Sequence, residues 1–185
     1  MTKFSVRLGI VPKIITVTCF IIMSFALIKL TQVLLEGGFN IIYLSLIILL
    51  LISIVSPVFT MPVSIYALDD RLLLKKLLGS KTIFYSDIIV AERFYPKSDI
   101  RIFGSGGYWG FFGIFSNPRI GRYTAFVGNY KEAVLIQVAI AGGYKSYVVS
   151  CRNYDEFIML VNNNRDIRTI LSATTATANN YQNEN

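Results

Sequence analysis

The sequence predicts an N-terminal transmembrane α-hairpin followed by a small antiparallel β-barrel or sandwich of about seven strands, closed by one C-terminal helix. Three observations predict it. The 185 residues are 54% hydrophobic and only 16% charged, with a mean hydropathy of +0.54, where soluble domains carry about 25% charged residues. Two long apolar runs, separated by Glu36-Gly37-Gly38-Phe39-Asn40, open the chain. Beyond residue 61 the pattern changes to short β-prone runs between turn residues, and near residue 153 it changes again, to a helical period.

Residues 1–61 form the predicted hairpin, with spans at about 13–35 and 41–61. The run from Ile14 to Ile28 carries no charge, but at ~1.5 Å per residue it falls short of a ~30 Å hydrocarbon core. Continuing through Lys29 to Leu35 supplies the missing length, with the Lys29 ammonium reaching outward to one interface. The run from Ile41 to Met61 is uncharged throughout and is the stronger span; Pro57 falls in its last turns, where a kink is tolerated. A secretory signal peptide competes for residues 1–30, but a second span follows directly and no small-residue cleavage site closes the run. Lys3, Arg7 and Lys13 precede the first span, and Arg71, Lys75, Lys76 and Lys81 follow the second, whereas the connection carries only Glu36. This asymmetry places both termini in the cytoplasm.

Residues 62–171 form the predicted cytoplasmic domain. Val63–Leu68, Leu72–Leu78, Thr82–Tyr85, Ile88–Val90, Tyr123–Val127, Ala133–Ala139 and Ser146–Val149 read as strands, with Asp69-Asp70, Gly79-Ser80, Gly128-Asn129 and Ala141-Gly142-Gly143 as turns. Asn153-Tyr-Asp-Glu156 resembles a capping box, and Tyr154, Phe157, Ile158 and Val161 follow on one helical face. The final stretch, 172–185, lacks periodicity and is expected to be disordered.

The order of these motifs resembles bacterial pleckstrin-homology-like (PH) domains. "VSIYALDDRLLLKKLLGSKTIFYSDI" is similar to the opening of such domains: strand, acidic turn, apolar strand, and a "DI" entering the next strand. "RIFGSGGYWGFFGIFSN", "YTAFVGNYKEAVLIQ" and "YVVSCRNYDEFI" resemble the second half, which leads into a helix near "EFI". The resemblance covers roughly residues 62–165, and attachment to two transmembrane helices is common in the family. It implies a PH-like barrel without enzymatic activity and names no ligand. Phosphoinositide-binding relatives carry K, a short gap, then K/R-x-R near the first two strands. Here Lys75, Lys76 and Lys81 occupy the comparable region, and Ile83 stands where the last arginine would be, so phosphoinositide binding is not supported. The lysines remain either general contacts for anionic lipid or a solvated face.

The stretch 101–123, rich in glycine and aromatic residues, admits three readings. Gly104-Ser-Gly106 begins like a dinucleotide-binding loop, but Trp109 takes the place of the last glycine and no helix pattern follows. Alternatively the rings contact membrane, with Tyr and Trp at headgroup level and Arg101, Arg119 and Arg122 meeting phosphates beside them. In the third reading the glycines permit close backbone approach and most of the rings fill the domain. Trp109, Phe111 and Phe112 are the residues expected at an exposed tip.

No catalytic set emerges. Histidine is absent, which removes the commonest general base and metal ligand. Asp69-Asp70 suits a turn and Asp155-Glu156 a helix N-terminus. Cys19 and Cys151 have neither zinc nor redox spacing. Ser80-Lys81 is a formal dyad, although sequential residues in a turn are poorly placed to bond each other. The expectation is a non-enzymatic, cofactor-free module, tethered at the cell (inner) membrane, whose partner is the lipid bilayer or a protein and not nucleic acid. The alternative is a small subunit of a transport or envelope assembly, packing through the hairpin, where Ser24, Ser45, Ser53 and Ser56 would assist.

Overall fold

The computed structural model describes residues 1–38 and 40–165. The tail expected at 172–185, and the last residues of the domain expected to end at 171, lie outside them. The chain begins with a short strand, β1 (Thr2–Ser5), and then enters helices α1 (Ile10–Glu36) and α2 (Ile41–Thr60). Pro12 sits in the first turn of α1, where no intrahelical donor is lost. Asn40 caps α2 by accepting the Ile42 N–H at 2.9 Å. Both helices are long and apolar enough to cross a membrane, and the hydrophobic window of each is 0% buried inside the protein. An apolar helix packed in a soluble core would be mostly covered; these are not.

Nine strands follow: β2 (Pro62–Ala67), β3 (Arg71–Lys76), β4 (Ser80–Phe84), β5 (Ile88–Arg93), β6 (Ile100–Gly107), β7 (Gly110–Asn117), β8 (Gly121–Val127), β9 (Ala133–Ile140) and β10 (Gly143–Ser150). A helix over residues 154–165, α3, ends the described chain. The strands form an open sandwich of two sheets, ordered β1-β2-β3-β4 and β5-β9-β10-β8-β7-β6. The count exceeds the seven expected for two reasons. The glycine-aromatic stretch is a hairpin of two strands, β6 and β7, and β1 adds a strand from before the helices. One pair, β8 with β10, is parallel. The apolar strand expected over 72–78 stops at Lys76, leaving Leu77 and Leu78 in the turn.

The six-stranded sheet is buried on both faces at its centre, which is why β9 reads as a nearly unbroken apolar run. Val134, Ile136 and Val138 enter one core with Ile65, Leu72 and Leu74 of the other sheet and with Phe157 and Val161 of α3. Leu135, with Ala125, Val127 and Val148, enters a second core under Phe94 and Phe115. A polar cluster lies beside that second core. The buried Tyr123 hydroxyl donates to Asp99 Oδ2 at 2.6 Å and lies 3.2 Å from the Tyr130 hydroxyl. Asn117 Nδ2 donates to the Lys97 carbonyl at 3.1 Å and also to the Asp99 carboxylate. Burial pushes the Tyr130 phenol up to about 12 and, together with the hydrogen bond to Asp99, raises that of Tyr123 further, so both remain protonated donors. The cluster ties the 95–99 segment to β7 and β8.

Candidate functional site

The β6–β7 turn meets the foot of the helical hairpin. Tyr108 and Trp109 form the turn, and Trp109 adopts a positive φ of 58°. The Trp109 N–H donates to Thr16 Oγ1 of α1 at 2.9 Å, and the same hydroxyl donates to the Pro12 carbonyl at 2.6 Å. Thr16 therefore satisfies itself locally and still offers the turn an acceptor. The Tyr108 hydroxyl donates to the Ile54 carbonyl of α2 at 3.2 Å. That carbonyl lies one turn before Pro57, whose missing N–H removes the usual intrahelical donor to the adjacent Ser53 carbonyl. Close approach requires Gly107, where an added Cβ would stand 2.6 Å from Ile15 Cδ1. One loop thus bonds both helices at once. Tyr108→Phe should lower the melting temperature of the full chain in detergent, corresponding to a loss of about 1 kcal/mol; an unchanged melt would mean that this bond does not hold the turn in place.

Other bonds join the same regions. The Gly9 N–H donates to the Gly128 carbonyl at 2.8 Å, just before α1 begins, and the Val6 N–H to the Val63 carbonyl at 3.3 Å. The Leu78 N–H, in the β3–β4 turn, donates to the Phe59 carbonyl at the end of α2 at 3.0 Å. A cleft of about 730 Å³ opens beside the start of α1, lined by Arg7, Pro12, Lys13, Phe111, Tyr130 and Lys131 among others.

Each residue singled out in the sequence now has a place. Trp109 and Phe112 are half-buried against the hairpin side, Phe112 in a cleft with Ile15, Cys19 and Pro57. Phe111 is half-buried against Tyr130, with ring centroids 4.6 Å apart. None of the three rings stands free: Trp109 sits in the turn bonded to α1, and Phe111 and Phe112 follow on β7, each half-buried. Phe115 lies in the core and Phe103, 73% exposed, is the open aromatic of this stretch. Arg101 is exposed on β6 and lies over Gly106, beside the same cleft as Phe112. Arg119 and Arg122 are exposed at the other end of β7, whose eight residues set them about 26 Å from the turn. Arg119 is paired there with Glu92 at 3.2 Å. Arg119 and Arg122 therefore stand apart from the turn, at the opposite end of the hairpin.

Lys75, Lys76 and Lys81 flank the β3–β4 turn. Lys75 is exposed, with Nζ 5.9 Å from the Tyr66 ring centre, and Lys76 is half-buried over Phe126 at 5.0 Å. Lys81 is exposed at the start of β4. Ser80 and Lys81 are successive residues of one strand, so their side chains leave on opposite faces and form no dyad. Among the described residues no group of three or more His, Cys, Asp or Glu is placed to hold a metal ion.

Thr16 and the bare Leu77-Leu78 turn were not legible in the sequence, and Tyr108 was legible only as one ring of the glycine-aromatic stretch. A polar Thr16 inside an apolar run and Pro57 late in the second span were the available signals, but neither names its partner. Residues 64–164 match the family model described as a bacterial PH domain. No curated protein and no solved structure matches the chain.

Proposed function

The chain belongs to the bacterial PH domain family, and from that premise we propose that it is a non-enzymatic binding module tethered at the cytoplasmic face of the cell (inner) membrane. PH domains are generally non-catalytic binding modules. In this reading α1 and α2 span the bilayer, and the PH-like domain presents an outward face that docks a protein or anionic lipid. The observation that carries it is the β6–β7 turn bonded to both helices, through Trp109 to Thr16 and Tyr108 to Ile54. Such a joint fixes the domain's orientation against the bilayer instead of leaving it on a loose linker. A fixed orientation matters because a partner bound to the domain is then held at one height and angle above the lipid, which raises its effective concentration there.

Cysteine labelling of the full chain in cells tests the reading. Cys19→Ala removes the accessible thiol of the helices, and Cys151 is buried. Glu36→Cys, at the connection, should react with a membrane-impermeant maleimide in intact cells. Lys145→Cys, exposed in β10, should react only after the membrane is opened. The chain should also resist alkaline carbonate extraction. Release by carbonate, or labelling of both positions from one side, would overturn the proposal. With the topology established, a photoreactive phenylalanine at Phe103 should capture a discrete protein or lipid adduct; its absence would argue against this edge as the docking face.

A further inference from the structure

The β3–β4 turn exposes Leu77 at 57% and Leu78 at 71%, beside Phe59 at 43%. Soluble turns use polar residues and glycine; two bare leucines in succession leave apolar surface wet unless something covers it. We propose that bilayer lipid covers them: the turn is a second, shallow membrane contact, a leucine wedge between lysines that recognises anionic phospholipid. The inference rests on the reading of α1 and α2 as spans.

Three observations carry it. The first is height. The apolar stretch of α2, Ile41–Phe59, has 19 residues, about 28 Å at ~1.5 Å per residue, which matches a ~30 Å hydrocarbon core. Phe59 therefore marks the edge of that core. The Leu78 N–H is bonded to the Phe59 carbonyl at 3.0 Å, so the turn is held at the same level. The second is charge. The exposed Lys75 and Lys81 bracket the leucines, residues 71–84 contain no acidic residue, and among the described residues neither lysine pairs with a carboxylate. Long lysine side chains can lay their stems along apolar surface and place the ammonium among headgroup phosphates. The third is continuity. Trp109 reaches the same foot of the hairpin from the other sheet, at Thr16, and tryptophan favours headgroup level. A protein partner seated on Leu77 and Leu78 would have to share this space with lipid.

The test places an environment-sensitive fluorophore on single cysteines in the full chain, in the Cys19→Ala background. Burial pushes the Cys151 thiol up to about 12 and keeps it unreactive. Leu78→Cys reports on the wedge. Ser86→Cys lies past the far end of β4, a strand of five residues that spans about 16 Å. Leu49→Cys reports on the middle of α2. In vesicles of phosphatidylcholine with phosphatidylglycerol, probes at 49 and 78 should be quenched several-fold more by a lipid-borne nitroxide than the probe at 86, which iodide should quench. Lys75→Glu with Lys81→Glu should return the probe at 78 to iodide on anionic vesicles, and leave the probe at 49 unchanged. Lipid quenching at 49 with iodide quenching at 78 would overturn the wedge alone and assign the leucines to a protein partner. Iodide quenching at 49 as well would overturn the spans and the wedge together. A probe at 78 in lipid but indifferent to the lysine changes would overturn the anionic preference.

Discussion

Gly104→Ala is expected to destabilise the chain by about 3 kcal/mol or more, one of the largest effects of any single methyl group in this structure. Gly104 and Gly113 face each other in register across β6 and β7. Their φ angles are +107° and +117°, in a region that L side chains rarely adopt. A Cβ on Gly104 would stand 2.1 Å from the Phe112 carbonyl oxygen, and one on Gly113 would stand 2.2 Å from that of Phe103. These neighbours are backbone, so a rotamer change cannot relieve the overlap; the two strands must separate. Separation would withdraw the turn that bonds α1 and α2, so the loss propagates from a local clash to the orientation of the whole domain. Thermal melting of the full chain in detergent should show a large drop for Gly104→Ala. Gly143→Ala, where nothing lies within 4 Å of the added methyl and φ is not in that region, should stay within about 0.5 kcal/mol of the parent. Proteolysis should open the 100–117 segment in the first variant only. A parental melt for Gly104→Ala would mean that the close approach of β6 and β7 is not maintained in solution.

This pair also shows what a sequence exposes and what it hides. Gly104 and Gly113 are visible as glycines among aromatics, and close backbone approach is a correct reading of them; that they face each other is a matter of register, which no periodicity reports. Local signals served well elsewhere. The unbroken apolar run of β9 reflects burial on both faces, and the change of period at Asn153 marks α3, because burial and helix capping act within a few residues. The two apolar helices are legible for the same reason. Long-range pairings were not. Thr2–Ser5 is too short to show alternation, and its strand character comes from β2, whose partner positions lie some sixty residues away across both helices. The parallel pairing of β8 with β10 and the bond from Tyr108 to Ile54 are likewise set by tertiary contact. At the candidate site the aromatic content was legible, but its direction was not: Trp109, Phe111 and Phe112 were expected outward, whereas each is half-buried, Trp109 and Phe112 beside the helices and Phe111 against Tyr130. Leu77 and Leu78 extend an apolar run in sequence, yet their strand ends at Lys76, and only the structure separates a strand interior from a bare turn.

Phe157→Ala is expected to cost about 3–5 kcal/mol, the usual range for deleting a fully buried ring. Phe157 is 0% exposed in α3 and meets Phe4 of β1 edge to face, with ring centroids 5.2 Å apart. Its importance follows from what β1 does. That strand precedes α1, and its partner β2 follows α2, so the β1–β2 ladder clasps the two open ends of the helical hairpin. The Arg152 N–H donates to the Ser5 carbonyl at 3.1 Å, which brings the segment before α3 onto the same strand. Without the ring, a four-residue strand has little else apolar to hold it, since Thr2, Lys3 and Ser5 are exposed and only Phe4 is buried. Loss of Phe157 should therefore release β1 before it unfolds the sheets. Hydrogen exchange of the full chain should show faster exchange at residues 2–6 in Phe157→Ala, while β9 keeps its protection. Phe4→Ala should reproduce that pattern, and the double variant should lose less than the sum of the two by about 0.5–1.5 kcal/mol, the coupling typical of an aromatic pair. Additive losses, or protection at residues 2–6 that survives Phe157→Ala, would show that β1 is held by its ladder alone and that α3 plays no part in the clasp.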